Sequence, residues 1–255
     1  EKKRILCNKI YGVDIDAQAV EVTKLSLFLK LLENEGQALN KKGQASLFKA
    51  SALSQSKILP NLDPNIKCGN SLVGREYYMG VDLSLFPIDK QRTINVFDWK
   101  DEFSSIFNDG GFDCIIGNPP YVKEYTNNTI FEPLKSHPIY QGKMDFWYFF
   151  GYIGIEYLKK DGLVGYIAPN NWITNDGASK FRNYILTNAN ILEYRDFGAK
   201  MVFEKASIQT MIYILTKSDG RSTFNTKYSR FGKKKASEPE IKAFLNGFSR
   251  CSLYF

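Results

Sequence analysis

Phe112-Asp113-Cys114-Ile115-Ile116-Gly117-Asn118-Pro119-Pro120-Tyr121 decides how the rest of the chain is read. The first six residues form a short apolar run of strand type, and Asn118-Pro119-Pro120 stops it. In open α/β sheets the ligand crevice lies at the carboxyl ends of strands, which is where this turn falls. Two prolines fix two φ angles and remove two N–H donors, so the turn presents stiff carbonyls with little local competition. Asn118 supplies a side-chain carbonyl and Pro119 a backbone carbonyl. Two acceptors are what an exocyclic NH₂ group needs. The nitrogen of such a group is a poor nucleophile, because its lone pair is delocalised into the ring. Drawing both N–H bonds toward acceptors favours a tetrahedral nitrogen whose lone pair faces an electrophile. Tyr121 adds a ring on which a planar base can stack.

Outward from this turn, strand and helix patterns alternate. Residues 9–15 (KIYGVDI) read as a buried strand ending in acids. Residues 17–32 have helical apolar spacing, with Asp16 as their N-cap. Residues 34–56 read as a helix end and surface loop, and 66–72 as a short strand running into a polar turn. Residues 73–111 form a long connection with one helix near 97–107. The strand at 112–117 is expected to be central. A helix is expected at 144–158, a strand at 163–168 and a helix at 178–186. An antiparallel pair of strands at 191–197 and 208–216 completes the pattern. Strands alternating with helices predict a doubly wound α/β sheet.

Composition narrows the chemistry. With 19 Phe, 15 Tyr and 3 Trp in 255 residues, the chain can bury a large core, which excludes disorder as its main state. The longest apolar stretch, residues 146–155, is about half of the roughly 20 residues a spanning helix needs. Cys7, Cys68, Cys114 and Cys251 show no C-x-x-C spacing, and His137 is the only histidine. That argues against a zinc site, a disulfide framework and most histidine-dependent catalysis, and no metal is expected. Cys68 and Cys114 lie in apolar runs and are expected as buried thiols in a reducing cytoplasm. Residues 1–199 hold 23 basic and 23 acidic residues, whereas 200–255 hold 11 and 4. A basic end on a neutral body suits a polyanion, or is simply a solvated surface. Asp219 with Glu240-x-Lys242 has the residue types of a nuclease site, but such matches recur by chance in charged segments.

The N-P-P-Y turn resembles that of S-adenosylmethionine-dependent amino-methyltransferases. The motif order resembles the adenine-N6 DNA methyltransferases of type II and type IIG restriction-modification systems, from about Tyr11 to Lys217. The resemblance implies an α/β fold: a Rossmann-like, class I methyltransferase sheet, doubly wound, mostly parallel, with an antiparallel terminal hairpin. Tyr11-Gly12-Val13-Asp14-Ile15-Asp16 is similar to the strand whose first acid binds the cofactor ribose. That implies this role for Asp14 and places Ile15 against the cofactor adenine. Cys68-Gly69-Asn70-Ser71-Leu72 is similar to the next cofactor segment, with Asn70 in place of the usual Asp and Ser71 beside it. Asn118, Pro119, Pro120 and Tyr121 match the catalytic turn, with Pro120 also near the cofactor. In the segment from Gly142 to Phe150, Phe150 aligns with an aromatic beside the cofactor adenine. Met201-Val202-Phe203 matches the hairpin whose aromatic packs on a flipped base, so Tyr121 and Phe203 are implied to hold the target adenine.

The family's glycine-rich cofactor loop should precede the ribose acid, yet Gly12 is the only glycine before Asp14. The expectation is therefore a fragment that lacks that loop and the first strand, and that binds S-adenosylmethionine weakly or not at all. Residues 1–219 are expected to form the partial catalytic domain, and 220–255 to begin a target-recognition region. Within the latter, Lys233, Lys234 and Lys235 are expected on the DNA backbone. The implied partners are double-stranded DNA with a flipped adenine and the rest of the parent enzyme. Two alternatives share these residues. One is an N-methyltransferase of the same fold acting on RNA guanine or protein glutamine. The other is a non-catalytic DNA-contacting module.

Overall fold

The computed structural model describes residues 1–32, 60–80, 82, 87–203, 208–219, 224–233, 235–247 and 252–254. The chain divides into two compact units, Glu1–Trp99 and Lys100–Phe255. The loop expected at 34–56 lies outside the described residues. Among the described residues no helix is long and apolar enough to cross a membrane.

The first unit opens with a helix, α1 (Lys2–Lys9), which takes Lys9 into its last turn. The strand expected from residue 9 is therefore shorter: β1 covers Gly12–Asp14. Asp16 caps α2 (Ala17–Leu32) as expected, its Oδ1 accepting from Gln18 N at 2.8 Å. β1 pairs in parallel with β2 (Ile66–Cys68), placing Asp14 opposite Cys68. Leu6, Val20, Leu62 and Ile66 form the core. Buried Asn65 fastens the end of α1 to this core, its Nδ2 donating to Cys7 O at 2.9 Å and Ile10 O at 3.1 Å. The long connection is more helical than expected. It holds a 3-10 turn at Arg75–Tyr78, α3 (Ile88–Ile94), α4 (Trp99–Glu102) and α5 (Ser104–Asn108).

The second unit carries six strands. β3 (Phe112–Gly117) pairs in parallel with β4 (Leu158–Pro169), and β4 pairs antiparallel with β6 (Thr210–Lys217). β6 pairs antiparallel with β5 (Ala189–Asp196), the hairpin expected from the sequence. β5 pairs in parallel with β7 (Lys227–Arg230), and β7 antiparallel with β8 (Ser252–Tyr254). β3 thus lies at the edge of this sheet rather than at its centre. That position corrects the cysteine expectation. Cys114 is exposed because β3 has one neighbour in the sheet, and Cys68 is exposed at the last residue of a three-residue strand. Apolar composition signals a strand, not how many strands flank it.

α6 (Trp147–Glu156) is apolar on nearly every face and buries Trp147, Tyr148, Phe149 and Ile155. Gly151 lets α7 (Ser179–Asn188) approach it: a Cβ there would lie 2.3 Å from Phe181 Cζ. Gly117, Tyr166, Tyr213, Tyr194 and Tyr228 are in register across β3, β4, β6, β5 and β7. This row of rings ends at the residue before Asn118. A Cβ on Gly117 would sit 3.0 Å from Tyr166 Cε1, so glycine lets the ring lie against the base of the turn.

The stretch after residue 219 also contributes to this sheet, through β7, β8 and α8 (Glu238–Leu245). Arg195 on β5 is buried and donates through Nη1 to Phe244 O and Leu245 O, the last carbonyls of α8. Glu193 neutralises its guanidinium.

Candidate active site

The turn leaves β3 with its parts sorted by exposure. Pro119 is buried and anchors it, Asn118 and Pro120 are exposed, and Tyr121 is half-buried. Pro119 O accepts from no backbone donor among the described residues. The exposed Asn118 therefore presents its side-chain acceptor at the surface, and the Pro119 carbonyl is left unpaired by the backbone among the described residues. The Tyr121 hydroxyl lies 2.6 Å from Asn118 Oδ1 and 3.0 Å from Ile167 O on β4. Burial pushes its pKa up to about 12, so the phenol remains protonated at neutral pH.

Phe203, on the connection between β5 and β6, faces Tyr121 with ring centroids 6.3 Å apart and planes at 58°. The structure thus brings together two rings separated by 82 residues of sequence. Immediately after the turn the chain is clamped. Glu124 N donates to Met144 O at 2.9 Å, Phe146 N donates to Val122 O at 2.8 Å, and the backbones of Lys123 and Asp145 pair as an antiparallel β-bridge. Asp145 is buried, and burial raises its carboxyl pKa. Glu124 locks the same clamp, accepting from Met144 N at 3.1 Å and from the Tyr140 hydroxyl at 2.5 Å. Phe150 is half-buried with its ring 5.8 Å from that of Phe146. His137 packs edge-on against Phe149 and Tyr152, and burial lowers its pKa to about 4.

In the first unit, Asp14 is exposed at the end of β1, with Oδ1 accepting from Asp16 N at 2.8 Å. Its Oδ2 has no hydrogen-bond partner among the described residues, which fits a pair of ribose hydroxyls. Ile15 is 54% exposed, leaving an apolar face for a base. Asn70 is more committed: Nδ2 donates to Ile94 O at 3.1 Å and Oδ1 accepts from Leu72 N at 3.0 Å. Only the second lone pair of Oδ1 remains for an amino group. The neighbouring Ser71 O accepts from Trp99 Nε1 at 3.1 Å.

At the basic end, Lys233 is exposed and pairs with Glu240, Lys235 is exposed, and Lys234 lies outside the described residues. Glu240 also completes a capping box with Ser237 at the start of α8, and Lys242 pairs with Glu238. These pairings occupy Glu240 and Lys242, two of the three residues that resemble a nuclease site. Sequence reasoning singled out the Tyr121 ring but not its hydroxyl. The bond to Ile167 O depends on the register of β4, which no residue pattern announces.

The architecture is that of a Rossmann-like, class I methyltransferase, of the kind found in restriction-modification systems. It superposes on the M protein of the type I restriction enzyme EcoKI with a TM-score of 0.52 and 12% identity, covering 95% of this chain and 41% of that one. Against the ATP-dependent type ISP restriction-modification enzyme LlaBIII bound to DNA, the TM-score is 0.56 at 12% identity, covering 98% and 17%. The chain belongs to the Eco57I restriction-modification methylase family, whose model matches residues 8–203. It is 31% identical over 225 residues to the type II restriction enzyme and methyltransferase RM.Eco57I of Escherichia coli. That alignment covers 86% of this chain and about a fifth of the length of RM.Eco57I. The family match takes in every candidate site residue except the three lysines.

Proposed function

We propose that the protein carrying this chain methylates adenine N6 in double-stranded DNA, using S-adenosylmethionine, as the modification activity of a restriction-modification enzyme. The observation that carries this reading is the turn itself, with the exposed Asn118 side-chain acceptor and a Pro119 O that takes no backbone N–H among the described residues, beside the paired rings of Tyr121 and Phe203. Two rings suit a planar base better than a glutamine amide, and favour a nucleobase substrate.

An adenine in the duplex is stacked, and its amino group must leave the stack to be reached. Tyr121 and Phe203 hold the flipped ring. Asn118 Oδ1 and Pro119 O take one N–H each and turn the nitrogen lone pair outward. When bound, S-adenosylmethionine supplies the electrophilic methyl group. Asp14 and Asn70 are the residues of the first unit that would hold its ribose and adenine, beside Ile15 and Ser71. No strong general base is required, because the methylated nitrogen is acidic and loses its proton to water. Positioning and electrostatics carry the rate. The basic stretch after residue 219 would lead toward target recognition, with Lys233, Lys234 and Lys235 on phosphates. A reducing cytoplasm suits the unpaired thiols of Cys7, Cys68 and Cys114.

Asn118→Ala in the full-length protein tests the reading. It removes one acceptor, so kcat should fall on the order of 10²-fold or more while cofactor affinity is kept. Near-normal turnover would make the turn structural.

A further inference from the structure

The Tyr121 hydroxyl has one proton and two acceptors, Asn118 Oδ1 at 2.6 Å and Ile167 O at 3.0 Å. The shorter distance is to Asn118 Oδ1, and that oxygen takes the proton. Ile167 lies within β4, paired opposite Ile212 of β6, so the second acceptor is fixed by the sheet. The Asn118 amide is exposed and, unheld, can turn its NH₂ end outward. That end is a donor and opposes the amino group it is meant to receive. A hydroxyl that donates selects the oxygen end.

We propose that the Tyr121 hydroxyl is a positioning group for the transfer reaction. It donates to Asn118 Oδ1 and holds that oxygen toward the substrate, and an arriving amino group takes the second lone pair of the same oxygen. The turn is therefore organised before the base enters. The phenol's raised pKa keeps the proton on the oxygen throughout. This role belongs to the oxygen alone and is separate from stacking by the ring. It rests on the reading that Asn118 accepts from the substrate amino group.

Two measurements test it. In the isotopically labelled chain, the Asn118 ¹³Cγ resonance reports hydrogen bonding to Oδ1. It should move upfield in Tyr121→Phe; an unchanged resonance overturns the proposal. In the full-length protein, Tyr121→Phe should lower kcat about 5- to 10-fold, the effect of one hydrogen bond. The KM for DNA and the fluorescence of 2-aminopurine at the target position should be unchanged, because the ring remains. Tyr121→Ala should lose the fluorescence signal as well. Wild-type kcat in Tyr121→Phe overturns the proposal. A full-length protein that methylates no DNA defeats the DNA reading instead, and the ¹³Cγ comparison then still decides the hydroxyl's role.

Discussion

Replacing Phe203 by Ala should weaken, not abolish, capture of the flipped base. With no base present the rings of Tyr121 and Phe203 touch, at 6.3 Å and 58°. A base between parallel rings needs about 6.8 Å, twice the 3.4 Å stacking distance. The pair must therefore open by about 0.5 Å and swing parallel, giving up a ring contact of roughly 0.5–1.5 kcal/mol. Each base–ring face returns about 1–3 kcal/mol. Phe203→Ala loses one such face but is spared the cost of parting the rings, a net loss of about 1 kcal/mol, or about fivefold in the flipping equilibrium. The assay is 2-aminopurine fluorescence at the target position, titrated with the full-length variant. Unchanged fluorescence would remove Phe203 from the base. A loss of a hundredfold or more would show that the ring supports the fold of the turn rather than stacking.

Two further outcomes follow from other parts of the molecule. His137 ordinarily titrates near 6.5, and burial lowers this to about 4. The unfolded chain therefore takes up the proton first. The contribution is fully present above about pH 6.5 and is lost as pH falls toward 4, by at most about 3 kcal/mol. Urea midpoints across this range should fall less steeply in His137→Gln, and parallel curves would refute the assignment. At the basic end, replacing Lys233, Lys234 and Lys235 by Ala should weaken specific and nonspecific DNA binding by similar factors. It should flatten the plot of log affinity against log salt by up to about 2.7, at about 0.9 per phosphate contact. Identical slopes would mean these lysines only face solvent, with Lys233 serving Glu240.

Much of the site was legible in local chemistry. Asp16 caps its helix because a carboxylate before a helical apolar pattern has few other uses. Asn118 and Pro119 announce themselves through prolines that forbid other structure. The meeting of Tyr121 and Phe203 followed from motif order, since no spacing predicts a contact across 82 residues. What failed to show were properties of neighbours. Cys68 and Cys114 looked buried because apolar runs do not say whether a strand lies at an edge or ends after three residues. The strands and helix after residue 219 drew no expectation of their own, and β7 is only four residues long. That helix is fastened by Arg195, whose buried partners are backbone carbonyls 49 and 50 residues away. The Tyr121 hydroxyl was hidden for the same reason, since its second acceptor belongs to another strand.

The proposed reaction requires this turn to orient an adenine amino group for methylation. The most direct test incubates the full-length protein with S-adenosylmethionine labelled in its methyl group and unmethylated duplex DNA, then separates the nucleosides after digestion. Label is expected in N6-methyldeoxyadenosine, reduced on the order of 10²-fold or more in Asn118→Ala. Label in N4-methyldeoxycytidine, label found only when RNA or protein replaces DNA, or undiminished label in Asn118→Ala would contradict it.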